Sequence, residues 1–183
     1  GQLPARRAGP LGSGGLCRGI RTGFEELRDS GITSNLPIFI GIQAAGNSPT
    51  VDAFEKGADH IECFQNSSTL DHVLENPYPP SGNQVLRKLK ASNGLLLKVN
   101  NENILTAMQL LSQEGIFAQP ASATALAGLI EAVDKKMIPR GSRVVVVVTG
   151  SGLKYPPVLK EFDVSPVSVK LDQLPQALEA VLG

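Results

Sequence analysis

The stretch RVVVVVTG, residues 143–150, decides the fold of this 183-residue chain. Five consecutive valines are typical of a β-strand, so we predict a strand over residues 143–149. The turn-forming sequence TGSG follows and places Thr149 at the carboxyl end of that strand. Open α/β sheets bind their ligands beyond this end of their strands, which makes Thr149 a candidate ligand-binding residue.

Strand and helix patterns alternate on both sides of this stretch. Short apolar runs predict three further strands, the last of them weaker, over residues 37–45, 94–99 and 167–170. Helical periodicity and capping residues predict six helices, beginning near residues 16, 49, 83, 101, 122 and 174. This alternation predicts an α/β fold with three layers around an open, mainly parallel sheet.

The first eleven residues differ from the rest of the chain. Residues 1–11 mix proline, glycine and arginine with no strand or helix period, so we expect a disordered or displaced segment. The remaining residues, 12–183, are long enough for one domain with a sizeable core.

The charge balance restricts the kind of partner. The chain has 17 basic and 17 acidic side chains, so bulk electrostatics does not indicate a nucleic acid or a membrane surface as a partner.

The only two cysteines, Cys17 and Cys63, lack the spacing of a metal site or a redox pair, and this indicates a reducing compartment. The two histidines also lack the spacing of a metal site. The longest apolar run is far too short to span a bilayer, and no signal peptide is evident, so we expect a cytoplasmic protein.

A glycine cluster, Gly12-Ser13-Gly14-Gly15, stands directly before the first predicted helix. Helix N-termini present unpaired N–H groups and a partial positive charge, and glycines let an anion approach the backbone closely. The cluster completes neither the GxGxxG dinucleotide pattern nor a P-loop, because Cys17 replaces the third glycine and no Lys-Ser/Thr ending follows. An anion-binding loop and a flexible turn with an N-cap both fit these residues.

Two hydroxyl residues have more than one interpretation. The Thr149 hydroxyl can donate or accept a hydrogen bond and suits a neutral pyridine nitrogen, although a threonine that ends a strand before a turn is also common. Ser122 begins a predicted helix, and we expect it to be the N-cap of that helix rather than a nucleophile.

Four segments of the chain carry motifs that recur together in a known family. They are GSGGL from residue 12, IGIQAAGNSP from residue 40, EGIFAQPASATALAGL from residue 114 and VVVVVTGSGLKYP from residue 144. In this content and order the chain resembles the threonine synthase branch of the fold-type-II pyridoxal-phosphate (PLP) enzymes. That family has the tryptophan synthase beta-like PLP fold and also contains threonine and serine dehydratases and cysteate synthase. By this resemblance, residues 12–183 are the C-terminal part of the PLP-binding domain.

The resemblance implies a cofactor site and a reaction. Gly12, Ser13, Gly14, Gly15 and Leu16 look like the loop that wraps the PLP phosphate, and Thr149 looks like the hydroxyl that faces the pyridine nitrogen. The implied reaction converts O-phosphohomoserine and water to threonine and phosphate. The implied partner is a small amino-acid substrate, and the complete protein is expected to form a homodimer.

The chain departs from the family pattern in three places. The lysine that holds the cofactor precedes the glycine loop in the family, and none of the eleven residues before Gly12 is a lysine. Gln119 stands where the family has glutamate, and residues 69–82 differ in a way that leaves the substrate open. We therefore expect a fragment of a threonine-synthase-like lyase. The alternatives are a non-catalytic ligand-binding or regulatory module and a related PLP enzyme such as threonine dehydratase or cysteate synthase.

Overall fold

A four-stranded parallel sheet lies at the centre of the computed structural model, which describes residues 5–162 and 168–182. Its strands are β1 (Arg6–Pro10), β2 (Ile38–Ala44), β3 (Leu95–Val99) and β4 (Val144–Val146). They lie in the order β3-β2-β1-β4, and each neighbouring pair is parallel. The predicted α/β fold with a parallel sheet is confirmed.

Six α-helices accompany the sheet in the described ranges. They are α1 (Gly15–Asp29), α2 (Pro49–Glu55), α3 (Gly82–Ala91), α4 (Asn101–Gln113), α5 (Pro120–Asp134) and α6 (Leu174–Leu182). Local sequence signals set several of their ends. The Asn100 side chain caps α4 by accepting the Asn103 N–H at 2.8 Å, and Gly31, at a φ of 75°, follows the end of α1.

Both faces of the sheet are covered, because alternate residues of each strand point to opposite sides. Phe39 and Leu96 pack in one apolar cluster with residues of α2 and α3, and the apolar side of α1 lies against that cluster. Ile40 and Leu97 pack in a second cluster with residues of α4 and α5. The sheet therefore lies between two helical layers, which agrees with the three-layer prediction.

Residues 1–11 were expected to be disordered or displaced, and the first of these alternatives is wrong for residues 6–10, which form β1. This strand lies inside the sheet, where Ala8 pairs with Ile40 on one side and with Val146 on the other. Its own sequence, RRAGP, has little strand propensity. Hydrogen bonds to two apolar neighbours stabilise β1, together with the Arg7 guanidinium, which lies 4.9 Å from the centre of the Phe24 ring. Residues 1–4 lie outside the described part.

The valine run forms a shorter strand than predicted. Strand β4 covers only residues 144–146 and pairs with β1 at an edge of the described sheet. Val144 and Val146 pack against the second apolar cluster, whereas Val145 and Val148 are each 38% exposed. The weak strand predicted over residues 167–170 is not seen, since residues 168–170 have no regular structure and Val167 lies outside the described residues.

Helix α5 approaches the sheet closely at a glycine. A Cβ atom added to Gly128 would overlap the side chain of Ile42 on β2, so only glycine fits at this crossing.

Over residues 5–162 and 168–182, no helix is both long and apolar enough to cross a membrane.

Candidate functional site

The glycine loop and Thr149 follow two neighbouring strands of the sheet. The glycine loop begins two residues after β1, and Thr149 follows β4 by three residues. Ala8 pairs with Val146, and the Val147 N–H donates to the Ala8 carbonyl at 2.9 Å, so the two strands run side by side in parallel. Their carboxyl ends therefore meet at one edge of the sheet, where α/β proteins bind ligands. The structure brings the predicted site residues to this common edge.

Packing against α3 fixes the shape of the glycine loop. Gly14 is the N-cap of α1 with a φ of 87°, a left-handed conformation that side chains rarely adopt. A Cβ atom on Gly14 would lie 3.0 Å from the Ser81 Cβ atom and 3.1 Å from a methyl carbon of Val85. The Ser81 N–H also donates to the Ser13 carbonyl at 3.0 Å. The loop therefore needs glycine at position 14, and the Ser13 carbonyl ties it to the N-terminus of α3.

The electrostatics of the loop suit an anion. Ser13, Gly15 and Leu16 are exposed, and the first turn of α1 contains no acidic residue. The N–H groups of that turn have no carbonyl partner inside the helix, and the Gly14 N-cap has no side chain to bond to them. They lie at the positive end of a helix dipole, where Gly14 and Gly15 have no Cβ atom to block the approach of an anion, and this cradle fits a phosphate group.

Thr149 is held by a buried serine of α5. The Ser122 hydroxyl oxygen lies 3.0 Å from the Thr149 hydroxyl oxygen and accepts the Thr149 and Gly150 N–H groups at 3.1 and 2.6 Å. Thr149 is exposed, whereas Ser122 is completely buried. Ser122 therefore holds the Thr149 hydroxyl from the interior of the protein, while Thr149 itself stays exposed to a ligand. This arrangement suits a hydrogen bond to a ring nitrogen.

The prediction that Ser122 is the N-cap of its helix is wrong. Helix α5 begins two residues earlier, at Pro120, and Gln119 is the N-cap. Proline at the first helical position is favoured because its missing N–H has no partner there, so the helix starts before the serine. The Ser122 hydroxyl instead bonds to the backbone of the loop after β4, a tertiary contact that helix-start signals cannot indicate.

Gln119 lies directly against the same loop. Its N–H donates to the Gly150 carbonyl at 3.1 Å, and a Cβ atom on Gly150 would lie 2.5 Å from the Gln119 amide nitrogen. The Gly152 N–H also donates to the Phe117 carbonyl at 2.8 Å. The segment before α5 thus holds the loop after Thr149 by backbone bonds, and the neutral amide of Gln119 cannot act there as a base.

Sequence reasoning missed a second buried polar group, Asp71, in the loop between α2 and α3. Asp71 is 1% exposed, and one carboxylate oxygen accepts the Thr124 hydroxyl at 2.7 Å. Burial raises the pKa of Asp71 from 3.8 to about 6, although the hydrogen bonds from Thr124 and from the Leu74 N–H act in the opposite direction. A lone aspartate in a polar loop gives no sequence signal of such burial.

Four lysines that follow the glycine loop, Lys88, Lys90, Lys98 and Lys154, are engaged in polar contacts or exposed. Lys88 pairs with Glu25 at 3.0 Å, Lys90 donates to the Ala58 carbonyl at 2.6 Å, and Lys154 is exposed. Lys98 bonds to Asp52 and Glu55, each at 2.8 Å. Burial opposes charge on Lys98, but these bonds outweigh it and raise its pKa. A charged lysine cannot attack a carbonyl, so Lys98 is poorly suited to hold PLP covalently.

Fold and site together define an α/β protein with a glycine loop at a helix N-terminus and an exposed threonine at one sheet edge. The profile of the pyridoxal-phosphate-dependent enzymes matches residues 2–150, and the chain belongs to this family. Pyridoxal phosphate is the cofactor of the family, as predicted.

Threonine synthases are similar to this chain in sequence. That of Methanocaldococcus jannaschii is 36% identical over 172 residues, which cover 93% of this chain and 42% of the relative. That of Mycobacterium tuberculosis is 36% identical over 172 residues, which cover 92% and 46%. The chain therefore spans less than half the length of these curated relatives.

Solved structures of other enzymes share the fold. A fungal L-serine ammonia-lyase from Rhizomucor miehei superposes with a TM-score of 0.70 at 18% identity and covers 87% of this chain and 50% of the lyase. The processed form of threonine deaminase isoform 2 from Solanum lycopersicum superposes with a TM-score of 0.69 at 16% identity and covers 90% and 45%. At these identities the likeness concerns the fold alone, and it confirms the predicted PLP-enzyme fold.

Proposed function

We propose that this chain is the cofactor-holding part of a threonine-synthase-like lyase that converts O-phosphohomoserine and water to threonine and phosphate. The observation that carries the proposal is that the glycine loop and Thr149 leave neighbouring parallel strands at one sheet edge. The sequence similarity to threonine synthases supports the choice of reaction.

Each part of the site has a distinct role in this proposal. The N–H groups at the start of α1, from Gly15 onward, bind the cofactor phosphate, and Gly14 keeps the loop open to it. Thr149, whose hydroxyl lies against that of Ser122, donates in this proposal to the ring nitrogen of the cofactor. When bound, PLP supplies the electron sink for proton loss and elimination at an amino acid. Gln119 holds the loop after Thr149 without exchanging a proton.

The covalent lysine is proposed to come from a segment upstream of the glycine loop, as in the family. The bonds of Lys88, Lys90 and Lys98 support this division, because each engages its ammonium group elsewhere. The complete protein is then a proposed homodimer in the cytoplasm that acts on a small amino-acid substrate.

Two preparations test the proposal. The first is this chain alone with PLP, followed by borohydride reduction and mass spectrometry. We expect reversible cofactor binding without stoichiometric labelling of one lysine. The second is a fusion of the unmatched upstream segment of the Methanocaldococcus jannaschii threonine synthase to this chain. We expect this fusion to release phosphate from O-phosphohomoserine, whereas the isolated chain does not.

The outcomes separate the alternatives. Stoichiometric labelling of a single lysine in the isolated chain contradicts the fragment proposal. A fusion that binds PLP but releases no phosphate favours the non-catalytic module. Formation of 2-oxobutyrate from threonine, measured in the same fusion, favours a dehydratase instead.

A further inference from the structure

Four polar atoms lie within hydrogen-bonding distance of the Ser122 side-chain oxygen, whereas one hydroxyl accepts two hydrogen bonds and donates one. Its side chain is completely buried. Its oxygen lies 3.1 Å from the Thr149 nitrogen, 2.6 Å from the Gly150 nitrogen, 3.0 Å from the Thr149 hydroxyl oxygen and 3.0 Å from the Gly150 carbonyl oxygen. The chemistry of these four neighbours decides where the hydroxyl protons lie.

A hydroxyl oxygen has two lone pairs and one proton. The two backbone N–H groups can only donate, so they occupy both lone pairs of the Ser122 oxygen. The Ser122 proton must therefore go to Thr149 or to the Gly150 carbonyl. In either arrangement Ser122 has no lone pair left to accept the Thr149 proton.

The proton of Thr149 is thereby directed away from Ser122. Thr149 is exposed at the edge of the sheet where the glycine loop also lies. Its hydroxyl can act as a donor toward a ligand there, while its oxygen is available to accept from Ser122. Such a donor favours a ligand atom with a free lone pair and gives no charge compensation to a protonated nitrogen.

We propose that Ser122 is a positioning residue that makes Thr149 a hydrogen-bond donor to an unprotonated pyridine nitrogen. This inference rests on the proposed function, because the pyridine belongs to the cofactor. Ser122 itself does not touch the cofactor. It sets the rotamer of Thr149 and the direction of the Thr149 proton from beneath the loop.

The first measurement needs no cofactor. In the isolated chain, three-bond couplings to the Thr149 methyl carbon report its χ1 rotamer by NMR. We expect one fixed rotamer in the unsubstituted chain and in Ser112→Ala, which removes an exposed hydroxyl of α4. We expect rotamer averaging in Ser122→Ala. Unchanged couplings in Ser122→Ala overturn the positioning role.

The second measurement uses PLP labelled with ¹⁵N in the ring. In Ser122→Ala the ring ¹⁵N signal should move toward that of a pyridine without a hydrogen bond, and the Kd should rise about threefold to tenfold, as expected for loss of one such bond. In a Thr149→Val background, Ser122→Ala should cause no further shift. A further shift there shows that Ser122 acts only on the structure and overturns the proposal.

The two measurements distinguish two kinds of failure. An unsubstituted chain that binds no PLP contradicts the proposed function. A chain that binds PLP with a ring nitrogen in the pyridinium range contradicts the inference about Thr149 while leaving the proposed function intact.

Discussion

The hydroxyl of Thr124 lies 2.7 Å from a carboxylate oxygen of Asp71, and both side chains are buried. The same hydroxyl lies 2.9 Å from the Pro120 carbonyl oxygen. When Asp71 is ionised, Thr124 donates to the carboxylate. When Asp71 is protonated, it donates to Thr124, which then donates to Pro120. The loop between α2 and α3 is thus joined to α5 in both protonation states.

Asp71 should make the stability of the fold depend on pH. Its pKa of about 6 exceeds the unfolded value of 3.8, so the folded state keeps this proton to a higher pH. The free energy of unfolding should therefore fall as pH rises from about 4 to about 6, by roughly 3 kcal/mol from this group. Chemical denaturation of the unsubstituted chain and of Asp71→Asn over this range tests the prediction.

Asp71→Asn should flatten this pH dependence, because the amide cannot ionise. The exposed carboxylate of Asp134 offers a matched control, and Asp134→Asn should leave the slope as it is. An equal slope in the unsubstituted chain and in Asp71→Asn would show that the buried carboxyl is not the group responsible.

Gly14→Ala should damage both the fold and the phosphate cradle. The new Cβ atom would meet Ser81 and Val85 in a left-handed backbone conformation, at an expected cost of about 1–3 kcal/mol. PLP affinity, measured by equilibrium dialysis, should fall at least about tenfold. Gly19→Ala, in the same helix with nothing within 4 Å of its Cβ position, should stabilise the chain by about 0.5–1 kcal/mol and bind PLP normally.

Gly128→Ala should be strongly destabilising because α5 cannot move away from β2 without opening the core. We expect a loss of about 1–3 kcal/mol from overpacking against Ile42. Gly23→Ala, on the open side of α1, is the control and should not destabilise. In Ile42→Ala the added methyl group has room, so the double variant should lose less stability than the sum of the single variants.

The two thiols should differ greatly in reactivity. Burial raises the pKa of Cys17 to about 11, despite the nearby charges of Arg21 and Lys88, whereas Cys63 is exposed. At pH 8 only about one Cys17 side chain in a thousand is a thiolate, the reactive form. Titration with a disulfide reagent should detect one fast thiol, which Cys63→Ser removes, and a second, much slower thiol whose rate rises on unfolding. Equal rates for both would contradict this environment for Cys17.

Local signals predicted those parts of the fold that depend on a few neighbouring residues. The asparagine pair before α4 indicates an N-cap at Asn100 or Asn101, and the structure has Asn100 there; the apolar run around Ile40 forms a strand buried on both faces, which its sequence favours. Strand β1 could not be predicted this way, because its partners Ile40 and Val146 lie far along the chain and its own sequence contributes little.

The site also combines features that adjacent residues indicate with contacts between residues far apart in the chain. The glycine loop and Thr149 could be proposed because a helix start and a strand end are readable from adjacent residues. The contact of Ser122 with Thr149 spans 27 residues, and that of Asp71 with Thr124 spans 53. Hydrogen bonds over such separations depend on how the elements pack, so a single sequence does not reveal them.

The place of β1 inside the sheet has a consequence for synthesis on the ribosome. The β2 strand emerges soon after β1 and can pair with it early, but β4 emerges only after most of the chain. Until then one edge of β1 stays open, and an open strand edge is a template for pairing with other chains. A nascent chain that stalls before Val144 therefore leaves this edge of β1 without its β4 partner.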